Sequence, residues 1–175
     1  MAASLREVFG KRLALAVSEE GAGVLPLQPL FDALDTEERA VERVAREFLA
    51  ALSRTDTSTL RSLMLPGMSL ASVRQGPQGP VARGTSGEDF LASLGGEGRR
   101  ILERMWNPEV LIRDRVAVVW APYDFHLNGE FSHCGVDVFT LLRAADGWKV
   151  TGITYDVTRE GCGTSPLGSP RGSGR

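Results

Sequence analysis

The sequence predicts an α+β domain on three observations. A strongly amphipathic helix stands early in the chain, three long apolar runs joined by two-residue turns stand late in it, and a small helix and short strands lie between. Helices that precede a meander have a sheet face to cover, so this order implies helices laid on one face of the sheet. The length of 175 residues suits one ordinary domain with tails. With 42% apolar and 24% charged residues, the chain can bury a core, which excludes wholesale disorder.

Residues 1–34 read as an N-terminal extension: Leu5, Val8, Phe9, Leu13 and Ala16 fall near a helical stripe, but Gly10 interrupts it and Gly21 to Pro29 is loop-like. The first strong helix starts at Asp35, a cap answered by Glu38, and carries Val41, Val44, Ala45, Phe48, Leu49 and Leu52 on one face. Asp56 caps a second short helix that Pro66 and Gly67 end. Met68 to Arg74 and Val81 to Arg83 read as short strands, and Ser86 to Leu94 as a short capped helix. Arg100 to Trp106 suits either strand or helix, and Pro108 stops it. Val116 to Leu127, Phe131 to Leu142 and Trp148 to Val157 then form an antiparallel meander through turns at Asn128-Gly129 and Asp146-Gly147. The domain is expected to span 35–158. Ten of the last fifteen residues are Gly, Ser or Pro, so 159–175 are expected as a disordered tail.

Twenty basic and twenty-two acidic residues leave a net charge of −2, which provides no global field for nucleic acid or an anionic membrane, and neither partner is expected. No apolar run approaches the roughly 18 residues of a spanning helix. Lys11-Arg12 before Leu13 to Val17 has the flavour of a signal peptide, but the apolar stretch is short and Glu19-Glu20 follow at once. A cytoplasmic location is expected, with secretion or the periplasm left open. Cys134 and Cys162 allow one optional bridge and have no metal-type spacing; no metal or cofactor is expected.

The Asn128-Gly129 hairpin carries the chemistry. With those two residues as the loop, Asp124 faces His133, Trp120 faces Asp137, and these residues share a face with His126, Phe131 and Phe139. The other face then holds Val119, Tyr123 and Phe125 with Cys134, Val136 and Val138. Two carboxylates and two imidazoles among large aromatics are costly to bury unless paired or working. Asp124 would orient His133 as a general base, the imidazole pKa rising if the carboxylate outweighs desolvation and falling if burial wins. The competing reading is an inert structural pair. Pro122 marks an edge or a bulge, which would move Trp120 relative to Asp137 but leave the Asp124–His133 pairing intact. Arg99, Arg100 and Arg104 suit an anion clamp or a solvated charge run, and the Gly76 to Pro80 loop reads as turn chemistry. Cys134 and His133, adjacent in a strand, point to opposite faces and form no dyad.

Two N-terminal helices, a short strand pair, a small helix and a long meander, in that order, resemble the nuclear transport factor 2-like superfamily. The run VAVVWAPYDFHLNGEFSHCGVDVFTLLRAADGWKV, Val116 to Val150, is similar to its lumazine-binding-like and uncharacterised subgroup, most specifically through Ser132-His133-Cys134-Gly135-Val136-Asp137. The resemblance implies a cystatin-like cone, a curved antiparallel sheet with the N-terminal helices packed on its concave face. That superfamily includes ketosteroid isomerases, scytalone dehydratase, polyketide cyclases and epoxide hydrolases beside silent binding and assembly domains, so it implies a fold and not one reaction.

Three functions remain in competition. The first is a protein that binds a small apolar or aromatic molecule in a conical pocket, with His133, Asp137 and Asp124 as polar handles and Trp120, Phe139, Tyr123 and Trp106 as walls. The second is a lyase, isomerase or hydrolase with His133 as base, Asp124 orienting it and Asp137 beside them. The third is an assembly domain without ligand. A homodimer is expected, because Val119, Tyr123, Phe125, Val136 and Val138 make the second face too apolar for water.

Overall fold

The computed structural model describes residues 27–94 and 98–170, with side chains from residue 36 onward. The stripe in 5–16 and the signal-like run 11–17 lie outside the described residues. Contacts divide the chain between Leu34 and Asp35, and the unit from Asp35 onward carries all that follows.

Helix α1 spans Leu27–Ser53 and so begins well before Asp35. Pro29 sits in its first turn, where an absent N–H costs no helical bond, so nothing there stops the helix. Val41, Ala45, Phe48, Leu49 and Leu52 are buried and Val44 packs half-buried against them. α2 (Thr57–Leu63) is capped by Asp56, which accepts from the Thr59 amide at 3.0 Å. β1 (Met64–Gly76) and β2 (Gly79–Ser86) form a hairpin, and α3 (Gly87–Ser93) is capped by Ser86, whose Oγ accepts from the Asp89 amide. β3 (Ile101–Met105) resolves the strand-or-helix ambiguity as strand. A further strand, β4 (Glu109–Arg113), was not anticipated. β3 pairs with the last third of β5 (Val116–Leu127) and β4 with its first half, so two short strands share one long partner. β6 (Glu130–Ala144) and β7 (Gly147–Val157) complete the expected meander.

The sheet runs β2-β1-β7-β6-β5-β3, with β4 also on β5. One pairing departs from the expected antiparallel sheet: β7 lies parallel to β1, so the curved sheet is mixed. A long intervening stretch joins these two strands, which frees them from the antiparallel geometry a tight hairpin imposes. α1 fills the concave side, its Phe48 meeting Phe139 of β6 edge-on at 5.9 Å and stacking with Phe90 of α3 at 6.2 Å. No helix among the described residues is long and apolar enough to cross a membrane.

Of the segment expected as a disordered tail, the structure describes residues 159–170. Cys134 and Cys162 form a disulfide closing 28 residues of chain, and Cys134 also exchanges backbone hydrogen bonds with Thr158. In the chain-entropy account such a closure stabilises by about 3–4 kcal/mol, which is how a Gly/Ser/Pro segment is held without a core of its own.

Gly135 lets β7 approach here. A Cβ at this position would fall on the Asp156 carbonyl oxygen and lie 2.9 Å from both Asp156 Oδ1 and Tyr123 Cε1. Gly135→Ala is expected to destabilise by about 1–3 kcal/mol in urea unfolding, as overpacking against backbone does, whereas Gly163→Ala, with open space around it, is expected to leave the midpoint unchanged.

Candidate functional site

The hairpin starts as expected and then departs. Asn128 and Gly129 both have positive φ (56° and 87°), and Leu127 pairs with Glu130 and His126 with Phe131. Ser132 is then an extra residue on β6, so Phe125 pairs with His133, Asp124 with Cys134, Ala121 with Asp137 and Trp120 with Val138. The expected Asp124–His133 and Trp120–Asp137 pairings are therefore incorrect, by one residue throughout. Pro122 causes no shift, because its carbonyl, and the side on which its N–H is missing, faces the Trp106 amide (3.2 Å) in the gap between β3 and β4.

One residue of slip exchanges the two faces. His133, Asp137 and Phe139 now join Tyr123 and Phe125 on the concave side, where they line a cavity of about 440 Å³. Phe48, Leu70, Phe90, Ile153 and Tyr155 supply further walls. Asp124, His126 and Trp120 fall on the convex side. Trp120 is 41% exposed there, and neither it nor Trp106 lines the cavity, so two of the four expected aromatic walls, Phe139 and Tyr123, are in place. The Tyr123 hydroxyl donates to the Asp156 carbonyl at 2.8 Å, which commits it to the wall.

Among the described residues no carboxylate orients His133. Its ring stacks on Phe125 at 4.7 Å, stands edge-on to Tyr123, and places Nδ1 3.0 Å from Ser132 Oγ. Burial lowers the imidazole pKa and the Arg159 charge lowers it further, so burial decides the sign and the ring is neutral near pH 7. The expected Asp-oriented base does not exist.

The chemistry lies instead in a pair of acids. Asp137 is 1% exposed, and its Oδ2 has no hydrogen-bond donor among the described residues. Its neighbour within hydrogen-bonding reach is Glu103 of β3, another acid. Burial drives the Glu103 pKa well up, and the Asp137 charge, its hydrogen bond and then the Asp124 charge add to this. Burial also raises Asp137, to about 7, against the lowering effect of the Glu103 hydrogen bond. Both acids are pushed upward by burial, and as close neighbours they titrate as a pair. Glu103 was missed in the sequence. Its signal was parity: in Ile101–Met105 the two ends are buried, and Glu103 shares their face.

On the convex side Asp124 is 3% exposed and is held bidentately by Arg104, with Nε–Oδ1 2.9 Å and Nη2–Oδ2 2.6 Å. Burial alone would raise its pKa, but hydrogen bonds from Arg104 and Ser165 and the Arg104 charge carry it below the usual carboxylate range. Arg104 Nη2 also donates to the Gly168 carbonyl at 2.9 Å and approaches His126 Nε2 at 3.4 Å. Asp124, expected in the site, is a structural anchor for the tail, and His126 is 6% exposed beneath it.

No protein-family model matches the chain, and no curated protein matches it in sequence. Solved structures do. A Novosphingobium aromaticivorans protein described as NTF2-like with a cystatin-like fold is 14% identical, covers 84% of this chain and 97% of its own, and superposes with a TM-score of 0.61. The chain has the fold of these nuclear transport factor 2-like, cystatin-like structures. A Streptomyces avermitilis member of the NTF2-like family, provisionally described as a dehydratase, is 19% identical over 71% of this chain and 97% of that one, TM-score 0.58. The beta subunit of a provisionally assigned aromatic-ring-hydroxylating dioxygenase from Novosphingobium aromaticivorans is 11% identical over 79% and 99%, TM-score 0.60. At these identities the likeness concerns the fold, and the pocket has to be read from this chain's own residues.

Glu103 and Asp137 bind protons more tightly folded than unfolded. Their stabilising contribution is therefore complete below the unfolded carboxyl range near about pH 4 and is lost as pH rises through the folded values, about 7 for Asp137. Urea midpoints are expected to fall across that window, and Glu103→Gln or Asp137→Asn should flatten the slope; an unchanged slope in both variants contradicts the pairing.

Proposed function

We propose that this protein binds a small molecule in the concave cavity, with a ligand that is apolar or aromatic over most of its surface and presents one polar group to Asp137 and Glu103. The observation that carries the reading is an apolar-walled cavity of about 440 Å³ holding a buried carboxyl oxygen that lacks a donor. That volume lies within the range of about 300–1,000 Å³ usual for small-molecule sites, and a buried acceptor without a partner costs about 1–3 kcal/mol unless a ligand or water supplies one. Neutral His133 adds a second hydrogen-bonding group on the same wall. A ligand hydroxyl, which both donates and accepts, satisfies both demands.

The same oxygen supports a second reading. A protonated acid beside an ionised one in a desolvated site is the arrangement for proton abstraction and return, so a lyase or isomerase with Asp137 as base and Glu103 as acid is the catalytic alternative. The neighbour provisionally described as a dehydratase shares the fold.

Binding of the neutral fluorophore N-phenyl-1-naphthylamine tests the first reading. Saturable fluorescence enhancement at one site per chain is expected, and Ser72→Phe, which puts a ring into the cavity from β1, should weaken it at least about tenfold, some 1.4 kcal/mol, with the far-UV spectrum unchanged. Absence of saturable binding to the wild type overturns it.

The homodimer is retained as a proposal with a different surface. Val119, Tyr123 and Phe125 face inward, and the apolar residues left outside include Leu111, Val116, Trp120, Phe131 and Leu142, with half-buried Val118 and Val138 among them. A second copy covering this face is expected to sediment as a dimer at micromolar concentration, and Trp120→Glu to sediment as a monomer; a monomeric wild type removes the proposal. The Cys134–Cys162 bond supports an oxidising compartment, the secreted or periplasmic alternative rather than the cytoplasm.

A further inference from the structure

Two of the strands that line the cavity, β1 and β7, change character in the same direction. Along β1 the inward residues run Met68, Leu70, Ser72, Arg74, from buried to exposed. Along β7, parallel to it, Ile153, Tyr155 and Val157 lead to Arg159 just beyond the strand end. Arg83 of β2 stands opposite Ser72, and Arg99 precedes β3 at the end where β3 meets Leu127. The apolar depth of the cavity thus opens through one mouth, and four arginines line it: Arg74, Arg83, Arg99 and Arg159.

Several other arginines are committed to carboxylates. Arg46, Arg61, Arg104 and Arg143 each hold a carboxylate. The side chains of Arg74, Arg83, Arg99 and Arg159 make no ion pair or hydrogen bond among the described residues, although they converge on one opening. Four like charges at one mouth repel unless an anion sits among them, and guanidinium groups bind carboxylate, sulfate or phosphate oxygens through charge-assisted hydrogen bonds. Glu160 is the acidic group in the adjoining depression that shares Arg74 and Arg159 with the mouth. Asp156, also there, is committed to the Val136 amide at 2.7 Å.

We propose that the ligand is an amphipathic anion, an apolar body with a single acidic head, bound with its body in the cavity and its head among Arg74, Arg83, Arg99 and Arg159. The proposal rests on the small-molecule-binding reading and adds charge and orientation to it. The reverse orientation is excluded by the acid pair: an anionic head at depth would meet Asp137 and Glu103 in a desolvated site, where like charges are costly. The head stays at the arginine collar, where water still reaches it, and a neutral oxygen on the body meets the acids.

Displacement of N-phenyl-1-naphthylamine from the full chain at pH 7.5 by dodecanoate, dodecan-1-ol and dodecylammonium tests this. Dodecanoate is expected to displace the probe at a concentration at least about tenfold lower than the alcohol, with the ammonium ion weakest. The triple variant Arg74→Gln/Arg99→Gln/Arg159→Gln, altered only at exposed positions, should bring acid and alcohol within about threefold of each other while still binding the probe; raising salt from about 50 to 500 mM should do the same in the wild type. Equal displacement by acid and alcohol in the wild type, or an acid preference that survives the triple variant, overturns the proposal and leaves the cavity reading standing. If the probe does not bind the wild type at all, the cavity reading fails and this proposal falls with it.

Discussion

A strand shows successive side chains to opposite faces, and β6 takes its alternation from the hairpin that starts it. Ser132 adds one residue to that count, and the rest of the site follows from the addition. His133, Asp137 and Phe139 turn to the concave side; Cys134, Val136 and Val138 turn outward. Cys134 is then able to reach Cys162 and anchor the tail, while Asp137 enters the cavity beside Glu103. Without the bulge the outward cysteine would point into the cavity, and the acid pair would have no second member.

The molecule treats its buried acids in two ways. Asp124 receives a bidentate guanidinium and a hydroxyl, and stays ionised. Asp156 receives the Val136 amide and the Thr158 hydroxyl. Asp137 receives neither, and the group set beside it is another acid. Burial without a cation shifts an acid toward its neutral form rather than leaving a bare charge, and both acids at the cavity floor are shifted that way. The contrast between satisfied acids on the convex side and at the β7 end, and an unsatisfied one at the cavity floor, is what separates scaffold from site in this fold.

Most of the fold was legible because its signals are local. Asp56 and Ser86 cap the helices they precede, the α1 stripe has one burial face, and Asn128-Gly129 and Asp146-Gly147 mark the meander turns. β4 was not, since Glu109–Arg113 is short and gains strand character only from its long partner β5. The parallel β1–β7 pairing was also hidden, because no turn joins the two strands. The site was half legible: His133, Asp137, Phe139 and Tyr123 line the cavity, but Asp124, Trp120 and Trp106 do not. A bulge has no strong residue signature when it falls on a serine, and Pro122, the residue that advertises a break, lies where its missing donor faces a gap. Glu103 escaped because its meaning depends on Asp137, which is adjacent only in space.

The parallel pairing of β1 with β7 also sets an order of assembly. Leu70 and Ile153 face each other across that pair although about eighty residues of chain separate them, whereas β5, β6 and β7 are joined by turns of two residues. Loop closure costs more over the longer stretch and has to be met before the contacts that reward it. The meander therefore forms as a local unit, and the wall that β1 contributes docks last. Since β7 follows β1 by about eighty residues, the cavity can be enclosed only after that whole intervening stretch has been made.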